Sequence, residues 1–194
     1  MSNDELKLAV ILSSVRKERF GPVVTNWFTG VAKTAGNFDV DVIDIAEVGL
    51  PLEMSHHNSP EVAAALAAVS ERLKTADAFV VVTPEYNHSF PASLKNLIDW
   101  NYAPWRAKPV GYVSYGGMSG GLRAVEQLRQ VYGEMHAVSI RDAVSFQGAQ
   151  GAFGEDGNPR EAEASEGAAK TMLDQLTWWA RALKDARSVR PYSV

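Results

Sequence analysis

Thr83-Pro84-Glu85-Tyr86-Asn87-His88-Ser89-Phe90-Pro91, followed directly by Ala92-Ser93-Leu94-Lys95-Asn96-Leu97-Ile98-Asp99-Trp100, decides how this chain reads. It comes straight after Asp77-Ala78-Phe79-Val80-Val81-Val82, a continuous β-branched and aromatic run of the kind that forms a buried parallel strand. Open α/β sheets bind ligands in loops at the carboxyl ends of such strands. Ser89 and Pro91 predict the start of a helix, because proline favours the first helical position. Leu94, Leu97 and Ile98 then follow the i, i+3, i+4 spacing of a helix face laid on a sheet. Glu85, Tyr86 and Asn87 offer an acceptor, a flat aromatic and an amide, which suits a planar heterocycle. The plainer reading is a strand, loop and helix whose polar residues are only solvated.

Outward from this stretch, strands and helices alternate. Strands are predicted at Leu6–Leu12, Phe38–Ile45, Lys108–Tyr115 and Ala137–Phe146, the last with a polar middle. Gly21-Pro22 opens a helix with Val23, Val24, Trp27, Phe28 and Val31 on one face, and Ser59-Pro60 opens another over Val62–Leu73. Further helices are predicted over Leu122–Tyr132 and Ala162–Ala186, the latter with a stripe of Met172, Leu173, Leu176, Trp179 and Leu183. Such alternation predicts an α/β fold, a three-layer sandwich around a five-stranded parallel sheet. The flavodoxin-like order 2-1-3-4-5 places a ligand site in the loops after Leu12, Thr83 and Tyr115. No linker divides residues 1–194, which are expected to form a single domain, and Gly148–Pro159 reads as a mobile surface loop.

Bulk composition narrows the function classes. The 194 residues carry a formal charge of −4 with dispersed Lys and Arg, which argues against nucleic acid as a partner. With no cysteine there is no thiol nucleophile, disulfide or thiolate metal site. No apolar run has the length of a membrane span, and Met1-Ser2-Asn3-Asp4-Glu5 is unlike a signal peptide, so the expected location is cytoplasmic. His56-His57 lacks a clear third ligand, so no metal is expected. His88 receives no role, and Trp178-Trp179 reads as core or subunit contact rather than a ring stack, because Trp179 falls on the helical stripe.

The loop Ser13-Ser14-Val15-Arg16-Lys17-Glu18-Arg19-Phe20-Gly21-Pro22 joins hydroxyls, guanidinium groups and a helix N-terminus in one turn, each of which favours an anion. It contains neither a Walker pattern nor the Gly-x-Gly-x-x-Gly turn, and a monoester phosphate suits it. Ser114-Tyr115-Gly116-Gly117-Met118-Ser119-Gly120-Gly121 brings glycine amides close to any ligand there. Solvated loops are the alternative for each alone. On one sheet edge, the three together describe a mononucleotide site.

Residues 13–22, the block Pro84–Pro91 and Leu94–Trp100 resemble the NADPH-dependent FMN reductase family, which includes quinone, chromate and azo-dye reductases. The resemblance runs from Leu6 to at least Gly121. It implies FMN as cofactor and NAD(P)H as co-substrate. Ser14, Arg16, Arg19, Phe20 and Gly21 would surround the FMN phosphate, and Pro84, Glu85, Tyr86 and Asn87 would line the ribityl chain and one ring edge. Ser114, Gly116 and Gly117 would lie by the pyrimidine end, where backbone amides would stabilise charge gathered at N1 and O2. Ser13 stands where the family usually has glycine, and a left-handed backbone there would be strained.

The resemblance also implies a ping-pong cycle from NAD(P)H through flavin N5 to a small-molecule electron acceptor, with no catalytic side chain because the flavin carries the chemistry. Trp100, Tyr102, Pro104 and Trp105 read as more aromatic surface than one edge needs. With the family likeness, they predict a homodimer or homotetramer in which this segment and Gly148–Pro159 border a neighbour's flavin. Two alternatives are an electron-transfer flavodoxin and a flavin-dependent regulatory protein. Flavodoxins are usually strongly acidic and lack the paired arginines of this first loop.

Overall fold

The computed structural model describes residues 5–55 and 57–193. The Val-rich run forms β3 (Ala78–Pro84), buried at every position. On one side it pairs with β1 (Leu6–Leu12), which pairs in turn with β2 (Phe38–Asp44). On the other side it pairs with β4 (Pro109–Gly116), and β4 with β5 (Val138–Gln147). All four pairings are parallel and the order is β2-β1-β3-β4-β5, as the sequence predicts. The sheet is therefore the flavodoxin-like one, and its switch point lies between β1 and β3.

Helices α1 (Gly21–Ala35) and α7 (Ala162–Val189) cover one face, where Val24, Trp27 and Phe28 meet Leu173 and Leu176. On the other face, α3 (Pro60–Thr75), α4 (Ala92–Trp100) and α5 (Leu122–Glu134) bury Leu73, Leu97 and Leu128. Ser59 caps α3 through the amide of Val62, at 3.4 Å. In α4 the start differs from expectation. Pro91 is the cap residue rather than the first helical one, and the Ser89 hydroxyl bonds Gln127 Oε1 at 2.5 Å. The polar middle of β5 has a structural cause. The register slips between Val110 and Tyr112, and the freed carbonyls of Ile140 and Arg141 accept from Arg129 at 2.6 and 2.9 Å.

Two short helices and a 3₁₀ turn carry no periodicity and were not predicted: α2 (Ile45–Val48), α6 (Ala149–Ala152) and the turn Ala103–Trp105. Two of them correct the sequence reading. Gly148–Pro159 is not simply a mobile loop, because α6 buries Ala149 and Phe153 packs edge-on to Phe20 at 5.4 Å. Trp105 is not surface. It is fully buried against Phe79 and Tyr132, because the 3₁₀ turn rotates it inward. Trp178 is 64% exposed while Trp179 packs against the core, as the helical stripe predicts. Among the described residues no helix is long and apolar enough to cross a membrane.

The core makes one stability prediction. Tyr132 is fully buried and its hydroxyl has no partner among the described residues. Tyr132→Phe should leave stability unchanged or raise it by up to about 1 kcal/mol, since an unsatisfied hydroxyl is removed. Burial pushes the Tyr112 phenol up to about 12, and burial holds Tyr132 well above the ordinary value. The folded chain keeps these protons where the unfolded chain releases them. The stabilisation is complete below pH ~10 and disappears as pH rises through about 12. Urea midpoints at pH 7, 10 and 11.5 would check both statements. A midpoint that holds above pH ~11 would contradict the second.

Candidate active site

Three loops meet at the carboxyl ends of β1, β3 and β4, and hydroxyl groups tie them together. Ser14 Oγ lies 2.7 Å from the Tyr86 hydroxyl. Burial and then the neighbouring Tyr86 raise the Tyr115 phenol well above its ordinary value, and a hydrogen bond with Ser14 offsets part of that. Gly21 is what lets Tyr115 in, because a Cβ there would stand 2.8 Å from the Tyr115 hydroxyl. Tyr115 was not among the site residues read from sequence. Its only signal was its place at the end of β4.

In the first loop, the N–H groups from Ser14 to Gly21 find no protein acceptor among the described residues. They surround the uncapped start of α1, where Phe20 is the cap residue and offers no side-chain bond. The two arginines divide their tasks. Arg19 forks onto Asp44, with Nη1 at 2.8 Å from Oδ1 and Nη2 on Oδ2, and Nη1 also reaches the Ser14 carbonyl at 2.6 Å. Its charge is taken up by Asp44, so Arg19 braces the loop. Arg16 is exposed, stands over the Tyr86 ring at 5.4 Å and is in no ion pair among the described residues. Phe20 anchors the loop from below, 6.1 Å from Tyr115. Ser13 escapes the strain expected of it. It is not among the residues with positive φ, and its carbonyl accepts from Ser93 Oγ at 2.7 Å.

The second loop is a tight hairpin turn. Tyr86 and Ser89 exchange both backbone bonds, at 2.8 and 3.1 Å, with Asn87 at φ 49° and His88 at φ 76°. Positive φ at both central residues is the mirror-image turn that favours Asn. Asn87 is therefore needed for the turn as well as available to a ligand. Pro84 is the last residue of β3. Glu85 points elsewhere. Its carboxylate accepts from Ser119 Oγ at 2.5 Å and the Arg123 amide at 3.2 Å, and pairs with Arg123 Nε at 2.8 Å. It clamps the third loop and the start of α5, and is not a free acceptor.

In that third loop Ser114 is buried, and its hydroxyl supports the Gly120 carbonyl at 2.8 Å from beneath. Gly116 ends β4, while Gly117 faces open space. The amides of Gly117, Met118 and Ser119 have no protein acceptor among the described residues. The conformationally demanding glycines are Gly120 at φ 61° and Gly121 at φ 87°, which sequence reasoning left unassigned. Of the histidine pair, His56 lies outside the described residues and His57 is exposed.

The fold is flavodoxin-like, and its loop cluster gathers Arg16 and two sets of uncommitted backbone amides at one edge of the sheet. The chain matches the NADPH-dependent FMN reductase family over residues 6–151. It belongs to that family of oxidoreductases. It is 37% identical over 134 residues to an NAD(P)H-dependent FMN reductase of Schizosaccharomyces pombe, covering 66% of this chain and 66% of that one, just under two thirds of its length. A probable NADPH:quinone oxidoreductase 1 of Oryza sativa subsp. japonica is 31% identical over 180 residues, 87% of this chain and 89% of its own. Among solved structures, the flavoenzyme NAD(P)H:(acceptor) oxidoreductase FerB of Paracoccus denitrificans shares the fold. Its TM-score is 0.69 at 21% identity, covering 91% of this chain and 98% of that one.

Proposed function

We propose that this chain is an FMN-dependent NAD(P)H oxidoreductase that reduces a small-molecule acceptor of the quinone, flavin, chromate or azo class. One observation carries the reading: a run of uncommitted amides from Ser14 to Gly21 beside an Arg16 with no ion pair among the described residues, tied by Ser14 to Tyr86 of the loop after β3, with a second set of uncommitted amides at Gly117 to Ser119. This donor set suits a phosphate monoester joined to a ring with acceptor atoms. FMN, when bound, supplies the redox chemistry by accepting and passing on a hydride at N5.

The residues bind and orient. Arg16, Ser14 and the loop amides would hold the phosphate, with Arg19, Phe20 and Gly21 keeping the cradle in shape. Tyr86 and Asn87 would flank the ribityl chain and ring edge, on the platform formed by Pro84. Amides of Gly117, Met118 and Ser119 would donate to the pyrimidine end, in a loop held by Glu85 and Ser114. The absorption spectrum of the purified protein, with release and identification of its chromophore, tests the cofactor directly.

Donor and acceptor are proposed to take turns at one open face. Double-reciprocal plots at several fixed acceptor concentrations should then be parallel, with oxidised nicotinamide competing against the acceptor. Intersecting lines would mean that both are bound together.

A homodimer or homotetramer remains the proposed assembly, now on different residues. Trp105 is core, but Val15, Leu52, Met54 and Met118 are 48%, 77%, 53% and 86% exposed, on the loops after β1, α2 and β4. Apolar surface of this kind favours a covering subunit. Sedimentation at micromolar concentration giving a fully active monomer would remove the idea.

A further inference from the structure

The amino ends of the strands hold a second set of chemistry that the proposed reaction does not use. A cavity of about 870 Å³ opens between the ends of α3, α4 and α7 and the start of β4, lined by Lys74, Trp100, Tyr102, Arg106, Lys108 and Tyr192, among others. It lies the whole length of β4 away from the loop cluster, about 23 Å at the rise of an extended strand. Its volume is in the range of small-molecule sites.

The charges along this cavity do not cancel. Lys74 pairs with Glu71 at 3.8 Å, and Arg187 reaches Asp77 at 3.8 Å, where Lys184 also binds at 2.8 Å. Arg106 and Lys108 remain, with no carboxylate partner among the described residues. Lys108 is 7% exposed, and its ammonium donates to the Leu73 and Lys74 carbonyls at 3.0 and 2.7 Å. Those bonds close the end of α3 and account for two of its three donors. Burial, with Arg187 nearby, lowers it to about 8. Capping α3 explains Lys108 in part, but it does not explain Arg106. The Arg106 Nε is buried with no partner, and its guanidinium lies over the Tyr102 ring at 4.6 Å. Tyr102 and Tyr192 are 50% and 45% exposed, and both pack on His136, which the Tyr192 hydroxyl meets at 3.0 Å. Two uncompensated cations beneath an open aromatic lip, in a chain of net charge −4, are complementary to a ring that carries an anion.

We infer that this cavity is a second ligand site, for a planar aromatic anion whose carboxylate or phosphate sits between Arg106 and Lys108 and whose ring lies against Tyr102 and Tyr192. The site is independent of the flavin reading, since no residue is shared. Calorimetric titration of the protein held saturated with FMN, so that the loop of Arg16 is already filled, with benzoate, AMP and inorganic phosphate tests it. Saturable binding of benzoate or AMP at millimolar concentration or below is expected. Arg106→Gln should weaken that binding at least tenfold, the loss of a charged hydrogen bond. Arg16→Ala should change it less than about twofold, because that residue lies at the other end of the sheet. Tyr102→Ala, on an exposed face, gives an independent check if the first variant folds poorly. It should weaken AMP or benzoate and leave inorganic phosphate unchanged. No saturable binding up to about 10 mM, binding insensitive to Arg106→Gln, or binding lost with Arg16→Ala instead, would overturn the inference. So would inorganic phosphate binding as tightly as AMP and benzoate, because the ring would then contribute nothing.

Discussion

Arg16→Ala will weaken FMN binding by about ten- to more than a hundredfold and leave riboflavin nearly untouched. A charge-assisted hydrogen bond contributes roughly 1.5–3 kcal/mol, and the phosphate is what distinguishes the two ligands. The structure separates this arginine from its neighbour. Arg16 is exposed with its guanidinium over Tyr86 and holds no ion pair among the described residues, so on the proposed reading its removal deletes the phosphate contact and little else. Arg19 is bound to Asp44 and to the Ser14 carbonyl, so Arg19→Ala should loosen the loop itself. Its effect should fall on thermal stability and on both flavins together. Fluorescence titration with FMN and riboflavin, for each variant, reads the difference. Equal losses of FMN and riboflavin in Arg16→Ala would show that the first loop is not the phosphate cradle.

Gly121→Ala will destabilise the protein by about 2–4 kcal/mol and weaken FMN at the same time, through left-handed strain plus overpacking. At φ 87° a side chain is strained, and its Cβ would stand 2.7 Å from Ser114 Cβ and 3.0 Å from the Tyr115 amide. Neither atom is the end of a flexible side chain, so the strand or the loop must move. The loop amides would move with it. Gly117→Ala is the contrast, because a Cβ there meets nothing within 4 Å. It should stay within about 0.5 kcal/mol of the parent in a urea melt. If both substitutions cost the same, the close packing of the third loop against β4 is not what holds its shape.

The division between the two arginines was out of reach of the sequence for a definite reason. Asp44 is 25 positions from Arg19, and it arrives because parallel pairing sets Leu12 beside Asp44 at the ends of β1 and β2. Glu85 and Arg123 meet in the same way, since β3 and β4 are neighbours and α5 begins just after β4. A carboxylate that reads as a free acceptor in a loop becomes a clamp once a distant cation reaches it. Trp105 and Phe153 lie in segments without periodicity. Their burial depends on a 3₁₀ turn and a four-residue helix that no pattern of apolar spacing marks.

What the sequence determined by itself were the features that depend on neighbours along the chain. The buried character of β3 came from its unbroken apolar run, the helix faces from their spacing, and the strand order from the few crossovers that alternating elements permit. That order alone brought the loops of Ser14, Tyr86 and Gly117 to one edge. The tertiary structure decided how charge and hydrogen bonds are shared within that edge. It gave Arg19 to Asp44 and left Arg16 open, committed Glu85 to Arg123, and placed the Ser14 hydroxyl beside Tyr86 and Tyr115. Hydrophobic patterning is a local property, repeated along each element, whereas the partner of an ionised or hydroxyl group is set by which distant residue the fold brings within about 3 Å.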